Sequence, residues 1–215
     1  MSEQNTLSSS GKNGLLLGAF ALSTTLLIAA VNWLTAPEIE RQIRLKTQKI
    51  INEIQPQSSY DNDITADCLL VDSALIGSNK RVFRARQQDE AVALVLEATT
   101  PNGYSGNIDF ILSYDLTTQQ IGGVRILSHQ ETPGLGDKIE LRISNWILGF
   151  TGLTYADTQE SGWAVKKDGG RFDQFTGATI TPRAVVEGVQ QTISYIEDNR
   201  AMLTGSSPNC PVKES

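Results

Sequence analysis

Hydrophobic residues are distributed unevenly along the chain, and one stretch near the N-terminus is apolar throughout. Residues 14–34, GLLLGAFALSTTLLIAAVNWL, contain no charged side chain. At about 1.5 Å per residue, a helix of this length spans about 30 Å, the thickness of the hydrocarbon layer of a bilayer. The hydroxyls of Ser23, Thr24 and Thr25 lie mid-span, where they can bond back to carbonyls of their own helix. The pattern predicts a transmembrane helix rather than a cleaved signal peptide, whose apolar region is usually about 7–15 residues long.

A second helical pattern follows the apolar stretch. Its apolar residues recur at helical spacing and indicate an amphipathic juxtamembrane helix; they include Ile39, Ile43, Ile50 and Ile54. Pro37 stands where the chain leaves the membrane and can introduce a kink. Pro56 and the polar residues after it end the helix.

The middle of the chain has the pattern of β-strands. Alternating or continuous apolar runs predict strands at 81–86, 91–98, 107–115 and 120–127. The sequence LTTQ between the last two predicts a hairpin with a loop of several residues.

Two further segments have a helical period. In residues 138–150, one side of a helix would carry Ile139, Ile143, Trp146 and Ile147. The last helix is predicted to open at Thr181-Pro182, with Thr181 as the N-cap and Pro182 at the first helical position. Its apolar face comprises Val185, Val189, Ile193 and Ile196. Strands followed by a C-terminal helix indicate one α+β domain with a mainly antiparallel sheet.

Composition limits the ligands that this domain can take. The chain has 18 Lys+Arg against 24 Asp+Glu, a net charge of −6, which makes nucleic acid a poor partner because phosphate binding needs a basic surface. With two cysteines and a single histidine, His129, no metal centre rich in cysteine or histidine is expected. Cys68 and Cys210 could pair in an oxidising compartment, or both could be free thiols.

The charges that flank the apolar stretch leave its orientation open. Lys12 precedes it, and the cations that follow are Arg41, Arg44, Lys46 and Lys49. The positive-inside rule would therefore place the body in the cytoplasm, although long domains can be translocated whatever their flanking charge.

Three segments rich in glycine or other small residues could carry chemistry: GYSG at 103–106, HQETPGLGD at 129–137 and DQFTGATIT at 173–181. The first has the composition of a turn between strands. In the second, His129 and Glu131 alternate and could form an acid–base pair on one face of an extended segment. The third segment precedes a helix. The free N–H groups at the start of that helix could bind an anion, or the segment could simply cap the helix.

The residues of these segments resemble a known family. The pattern Asp173…Thr176-Gly177-Ala178-Thr179 is similar to the covalent flavinylation motif of bacterial FMN-binding domains, and 129–136 and 103–106 match the same family in the same order. With one N-terminal membrane span, the chain resembles the G subunits of the Rnf (also called Rsx) ion-translocating electron transport complexes. The paralogous C subunits of sodium-pumping NADH:quinone reductases share the motifs.

The resemblance implies one covalent FMN and a role for each motif residue. Thr179 would carry the FMN phosphate as an ester, and Asp173 would support the modification motif. Around the phosphate, Thr176 and Thr181 would surround the group, and Gly177 and Ala178 would leave room for the cofactor. At the isoalloxazine ring, Tyr104 and Leu135 would pack on the ring, and Glu131 and Thr132 would bond its polar edge. No residue is assigned as catalytic and none as a metal ligand.

The function implied by the resemblance is electron relay within a membrane complex rather than turnover of a substrate by a stand-alone catalyst. Its expected partners are the other subunits of the complex and an exported FMN transferase that uses FAD, which would place the body in the periplasm at the bacterial inner membrane. The alternatives are a subunit of the sodium-pumping reductase and a non-redox membrane-tethered binding module.

The expected organisation has five parts. They are a cytoplasmic tail (1–13), a transmembrane helix (14–34), a juxtamembrane helix and linker (35–58), a periplasmic FMN-binding domain (59–204) and a C-terminal tail (205–215).

Overall fold

The computed structural model describes residues 3–210 of the chain, so the ends of both expected tails, residues 1–2 and 211–215, lie outside the described residues. The chain divides into two compact units, with the boundary between Thr47 and Gln48. The elements, in order, are α1 (Glu3–Ile54), β1 (Cys68–Ser73), β2 (Gly77–Gln87), β3 (Glu90–Gly103), β4 (Gly106–Asp115), β5 (Gln120–Ser128), α2 (Tyr155–Thr158), α3 (Ile180–Asp198) and α4 (Arg200–Gly205).

The first unit is helical and contains the expected membrane span. Within α1, Lys12–Ile39 is long and apolar enough to cross a bilayer, with a mean hydropathy of 2.1 and no part of it buried against the protein. The hydroxyl of Ser23 donates to the carbonyl of Ala19 (2.8 Å) and that of Thr24 to the carbonyl of Phe20 (3.0 Å), as expected for polar residues in such a helix. The helix continues through Pro37 to Ile54, so the two predicted helices are one element.

The second unit is built on a five-stranded antiparallel sheet in the order β1-β2-β3-β4-β5. The four predicted strands are present, and the loop between β4 and β5 is the predicted hairpin connection. The strand β1 was not predicted. It lies at the edge of the sheet, paired only with β2 among the described residues.

Both faces of the sheet are covered, because successive side chains of a strand point to opposite faces. One face carries Leu94 and Leu96 of β3 with Phe110 and Leu112 of β4, in one apolar core with the predicted face of α3 (Val185, Val189, Ile193 and Ile196). The other face carries a smaller core that includes Ala93, Val95 and Ile111, together with Ile51 and Ile54 at the end of α1. The central strands are therefore buried on both sides, which explains the nearly continuous apolar run in β3.

Two of the helix predictions are wrong. Residues 138–150 form two short 3-10 turns, Gly136–Ile139 and Asn145–Phe150, instead of one helix. The backbone is extended at Glu140 and Ser144, and the Ser144 hydroxyl accepts the N–H of Trp146, a local bond that competes with helix formation. Helix α3 begins at Ile180, so Thr179 rather than Thr181 occupies the N-cap position, and the buried Thr181 hydroxyl bonds Glu131 instead.

Candidate functional site

The three motif segments meet beside the first turn of α3. The β3–β4 turn brings in residues 103–106, the chain after β5 brings in 129–136, and the loop before α3 brings in 173–179. Between them lies a cavity of about 220 Å³. It is lined by Tyr104, Glu131, Thr132, Leu135, Gly136, Gly177, Ala178, Thr179, Ile180 and Thr181.

A tight turn presents the threonine-rich segment to this cavity. The N–H of Ala178 donates to the carbonyl of Phe175 at 3.1 Å, which closes a four-residue turn. Gly177 is the third residue of the turn and has φ = +81°, a conformation that type II turns require and that glycine adopts at little cost. Thr176 and Gly177 are therefore exposed at the tip, and Thr179 follows at the start of α3.

Thr179 stands at the N-cap position of α3, but its side chain does not cap the helix. Thr179 is half-buried and lines the cavity, and its side chain accepts no capping hydrogen bond from the N–H groups of α3, all of which are described. The N–H groups of the first turn of a helix have no partner within that helix and carry the positive end of its dipole. A hydroxyl beside such a helix start can hold a bound phosphate or become the oxygen of a phosphate ester.

Glu131 lies in the wall between the segments and is 4% exposed. Its Oε1 accepts the backbone N–H of Ser105 at 2.9 Å, and its Oε2 accepts the hydroxyl of Thr181. Both carboxylate oxygens, which sequence analysis assigned to the polar edge of the cofactor, thus already bond to the protein. The carboxylate connects the β3–β4 turn to the first turn of α3.

His129 supports the same segment from behind. Its Nδ1 accepts the backbone N–H of Glu131 at 3.0 Å, so the ring proton is on Nε2, which lies 2.8 Å from Oε1 of Glu140. The Arg142 guanidinium, together with His129, lowers the pKa of Glu140 against the opposing effect of burial. Because the His129 and Glu131 side chains bond to different partners, the acid–base pair suggested by their spacing does not form.

An aromatic cluster supports the threonine-rich loop. Trp146 packs edge-on against Phe175, with ring centroids 5.2 Å apart, and its Nε1 donates to the backbone carbonyl of Asp173 at 2.8 Å. Phe150 and Phe172 stack beneath, with centroids 4.6 Å apart. Large rigid side chains of this kind fix the loop in one position on the core.

Two of the expected site residues lie away from the cavity. The Asp173 carboxylate is exposed and pairs with Nζ of Lys166 at 2.6 Å. Thr176 is exposed at the tip of the turn and is not part of the lining. The other eight expected residues line the cavity.

Two residues of the lining, Gly136 and Ile180, were not among the expected site residues. Ile180 is 42% exposed and forms an apolar rim with Tyr104 (72%) and Leu135 (41%). For Ile180 the available signal was an apolar residue directly after the threonine-rich motif. It stands at the first position of the helix, outside the predicted apolar face that packs on the core.

Comparison with known proteins gives matches over both units. A family model of the FMN-binding domain matches residues 103–194, and a model of the RnfG N-terminal region matches residues 1–54. The G subunit of the ion-translocating oxidoreductase complex of Pseudoalteromonas atlantica is 50% identical over 204 residues, which are 93% of this chain and 94% of the relative. The corresponding protein of the same name from Shewanella amazonensis is 48% identical over 193 residues, 88% of this chain and 89% of the relative.

Among solved structures, NqrC of Shewanella oneidensis is similar with a TM-score of 0.48 and 19% sequence identity, over 70% of this chain and 74% of that one. Family membership rests on the sequence relatives, which match nearly the whole chain at up to 50% identity. The chain therefore belongs to the family of G subunits of ion-translocating oxidoreductase complexes.

Proposed function

We propose that the chain is a membrane-anchored electron-transfer subunit of an ion-translocating oxidoreductase complex, and that one FMN is attached through a phosphate ester to Thr179. The observation that carries the proposal is the cavity at the start of α3, which lies within the region matched by the FMN-binding domain model and has Thr179 in its lining. The other subunits of that complex are its partners in function.

The lining fits a tethered flavin phosphate. No lysine or arginine lines the cavity among the described residues, so the negative charge of a phosphate would be stabilised by the N–H groups at the start of α3. Gly177 and Ala178 add almost no side-chain bulk beside Thr179. A phosphate diester carries one negative charge where free FMN phosphate carries up to two, and the smaller charge suits a site with a helix start, the Glu131 carboxylate in its wall and no cation in its described lining.

The ring would be held at the rim. The cavity, about 220 Å³, is smaller than the roughly 300–1,000 Å³ of pockets that enclose drug-sized ligands, so FMN would lie partly outside it. The exposed side chains of Tyr104, Leu135 and Ile180 offer apolar surface for the isoalloxazine. A site that encloses so little of its ligand has few contacts to retain it, and a covalent bond to Thr179 removes that problem.

The bound flavin supplies the redox chemistry, since it can accept and release electrons reversibly. The residues of this chain attach it, orient it and leave an edge accessible. The membrane helix keeps the body close to the other subunits, which raises their effective concentration.

The body is proposed to be periplasmic, with a single span in the bacterial inner membrane and residues 1–13 in the cytoplasm. The cations after the span point the other way under the positive-inside rule. The disulfide between Cys68 and Cys210 favours the periplasm, because disulfides persist in oxidising compartments and are rare in the cytosol. Maturation by an exported FMN transferase that uses FAD requires the same orientation.

The test is the intact mass of the full chain, co-expressed with its transferase and extracted from membranes in detergent. The expected mass exceeds that of the polypeptide by one FMN minus one water, and the denatured band in a gel fluoresces as a flavin. A chain of unmodified mass that shows no flavin fluorescence would refute the attachment. It would favour a non-redox tethered module.

A further inference from the structure

The Glu131 carboxylate joins residues that are far apart in sequence. It bonds Ser105, 26 positions earlier, and Thr181, 50 positions later, and it is almost fully buried. Buried charged groups are rare in proteins unless hydrogen bonds compensate them, and here both oxygens have a donor. This one side chain therefore ties the first turn of α3 directly to the β3–β4 turn, in addition to the packing of α3 on the sheet.

The glycines of two motifs make space for the same carboxylate. A Cβ atom on Gly103 would lie 2.8 Å from Oε1 of Glu131 and 2.4 Å from the carbonyl oxygen of Gly106. A Cβ atom on Gly136 would lie 2.9 Å from Cβ of Glu131 and 2.9 Å from Oγ1 of Thr181. Real Cβ atoms do not approach other atoms this closely, so both glycines are required by the packing around Glu131.

We propose that Glu131 is a positioning residue for flavin attachment, which fixes the Thr179 hydroxyl at the cavity by holding the first turn of α3. The inference rests on the proposed function. In the reaction that it serves, Oγ1 of Thr179 forms a bond to the phosphorus of the FMN half of FAD, the pyrophosphate bond breaks, AMP leaves, and the hydroxyl proton is released. Glu131 acts on this reaction through Thr181, two residues beyond Thr179 and in the same helical turn.

A carboxylate suits this role better than an amide. Both oxygens of Glu131 accept charge-assisted hydrogen bonds. A glutamine would accept one neutral bond at its carbonyl oxygen and donate the other from its N–H₂ group to the Thr181 hydroxyl, which can also accept. The negative charge also lies at the start of α3, where the helix dipole stabilises it. The substitution Glu131→Gln therefore keeps the size of the side chain and weakens both of its bonds.

The experiment uses full-length chain in detergent, produced without the transferase and then incubated with transferase and FAD. Initial rates of flavin attachment are measured while the concentration of the chain is varied. For E131Q, kcat is expected to fall about tenfold or more, because two charge-assisted hydrogen bonds become neutral bonds of about half the strength, while KM for the chain stays near wild type. A purely structural role would lower only the fraction of folded chain, and the folded fraction would react at the wild-type kcat.

A matched control and a second pair of variants make the result decisive. Glu97→Gln removes another nearly buried carboxylate, one paired with Arg81 on the other face of the sheet, and should leave kcat unchanged. Thr181→Val removes the donor to Glu131 and should lower kcat as E131Q does, and Thr181→Ser, which restores a hydroxyl, should recover it. These two variants decide the question if E131Q fails to fold.

The possible outcomes separate the two proposals. If the wild-type chain attaches no flavin under these conditions, the proposed function fails. If the wild type is modified, and folded E131Q and T181V react with the wild-type kcat, Glu131 has no positioning role and only the present inference is overturned.

Discussion

Cys68, the first residue of β1, and Cys210, near the C-terminus, form a disulfide bond across 142 residues of sequence. The neighbouring hydrogen bonds reinforce it. The N–H of Asn209 donates to the carbonyl of Cys68 at 3.1 Å, and Oδ1 of Asn209 accepts the N–H of Leu70 at 2.6 Å. The C-terminal segment therefore covers part of the free edge of β1, which would otherwise be open to pairing with other chains.

Replacing both cysteines by serine should lower the free energy of unfolding of the body by about 2–5 kcal/mol, because the bond restricts the unfolded chain. The measurement is denaturant unfolding of the full chain in detergent. Wild-type protein in reductant should behave like the double variant. A peptide map without reductant that finds both thiols free in membrane-extracted protein would contradict the assignment.

Gly136→Ala should impair both stability and flavin attachment. The added methyl would overlap Glu131 and Thr181, and crowding of this kind costs about 1–3 kcal/mol. Gly149→Ala is the matched control, since a Cβ atom there has no neighbour within 4 Å in the described structure. The melting temperature and the extent of flavin attachment should both fall for G136A alone. Equal melting temperatures and equal flavin attachment in the two variants would contradict the close contact of Gly136 with Glu131 and Thr181.

The Asp157 carboxylate should make the stability of the body depend on pH at the acid end. The backbone N–H and the hydroxyl of Thr154, followed by the Arg171 guanidinium, lower the pKa of Asp157 from 3.8 to about 2. Because the folded-state pKa is the lower one, the stabilisation is complete above the unfolded value and is lost as the pH falls through the folded one. The difference in melting temperature between wild type and Asp157→Asn should therefore shrink between pH 4 and pH 2. A difference in melting temperature that stays constant over that range would show that the ionisation of Asp157 does not contribute to stability.

Much of the fold could be predicted from the periodicity of apolar residues. The continuous apolar run in β3 reflects burial on both faces, and the same reasoning located the face of α3. In β2 the alternation suggested one buried face, but Arg84 on the polar face is buried as well. The strand β1 was missed because only its first four residues are apolar, and its pairing is irregular, with a register shift between Val71 and Ser73. Residues 138–150 have the apolar period of a helix, but a local hydrogen bond to the Ser144 hydroxyl competes with helix formation. The spacing of apolar residues contains no information about such a bond.

The site was only partly predictable. Resemblance to a family pointed to Thr179 and the glycine motifs, and the structure brings residues of all three segments to one cavity. The attachment of a phosphate at Thr179 stays a prediction. The role of Glu131 could not be predicted, because its donors are on Ser105 and Thr181 and no local pattern connects them. The Thr181 prediction failed for the same reason, since its hydroxyl serves a tertiary contact instead of the helix cap.

The central claim is that Thr179 carries the flavin, and a peptide-level mass measurement tests it most directly. Trypsin should release residues 172–183, FDQFTGATITPR, which contain Thr176, Thr179 and Thr181. Fragmentation of this peptide from chain co-expressed with its transferase should place the increment of FMN minus water on Thr179. Thr179→Ala should abolish it, while Thr176→Ala, at the exposed tip of the turn, should retain it. An increment on Thr176 or Thr181, or flavin retained by the Thr179 variant, would contradict the account.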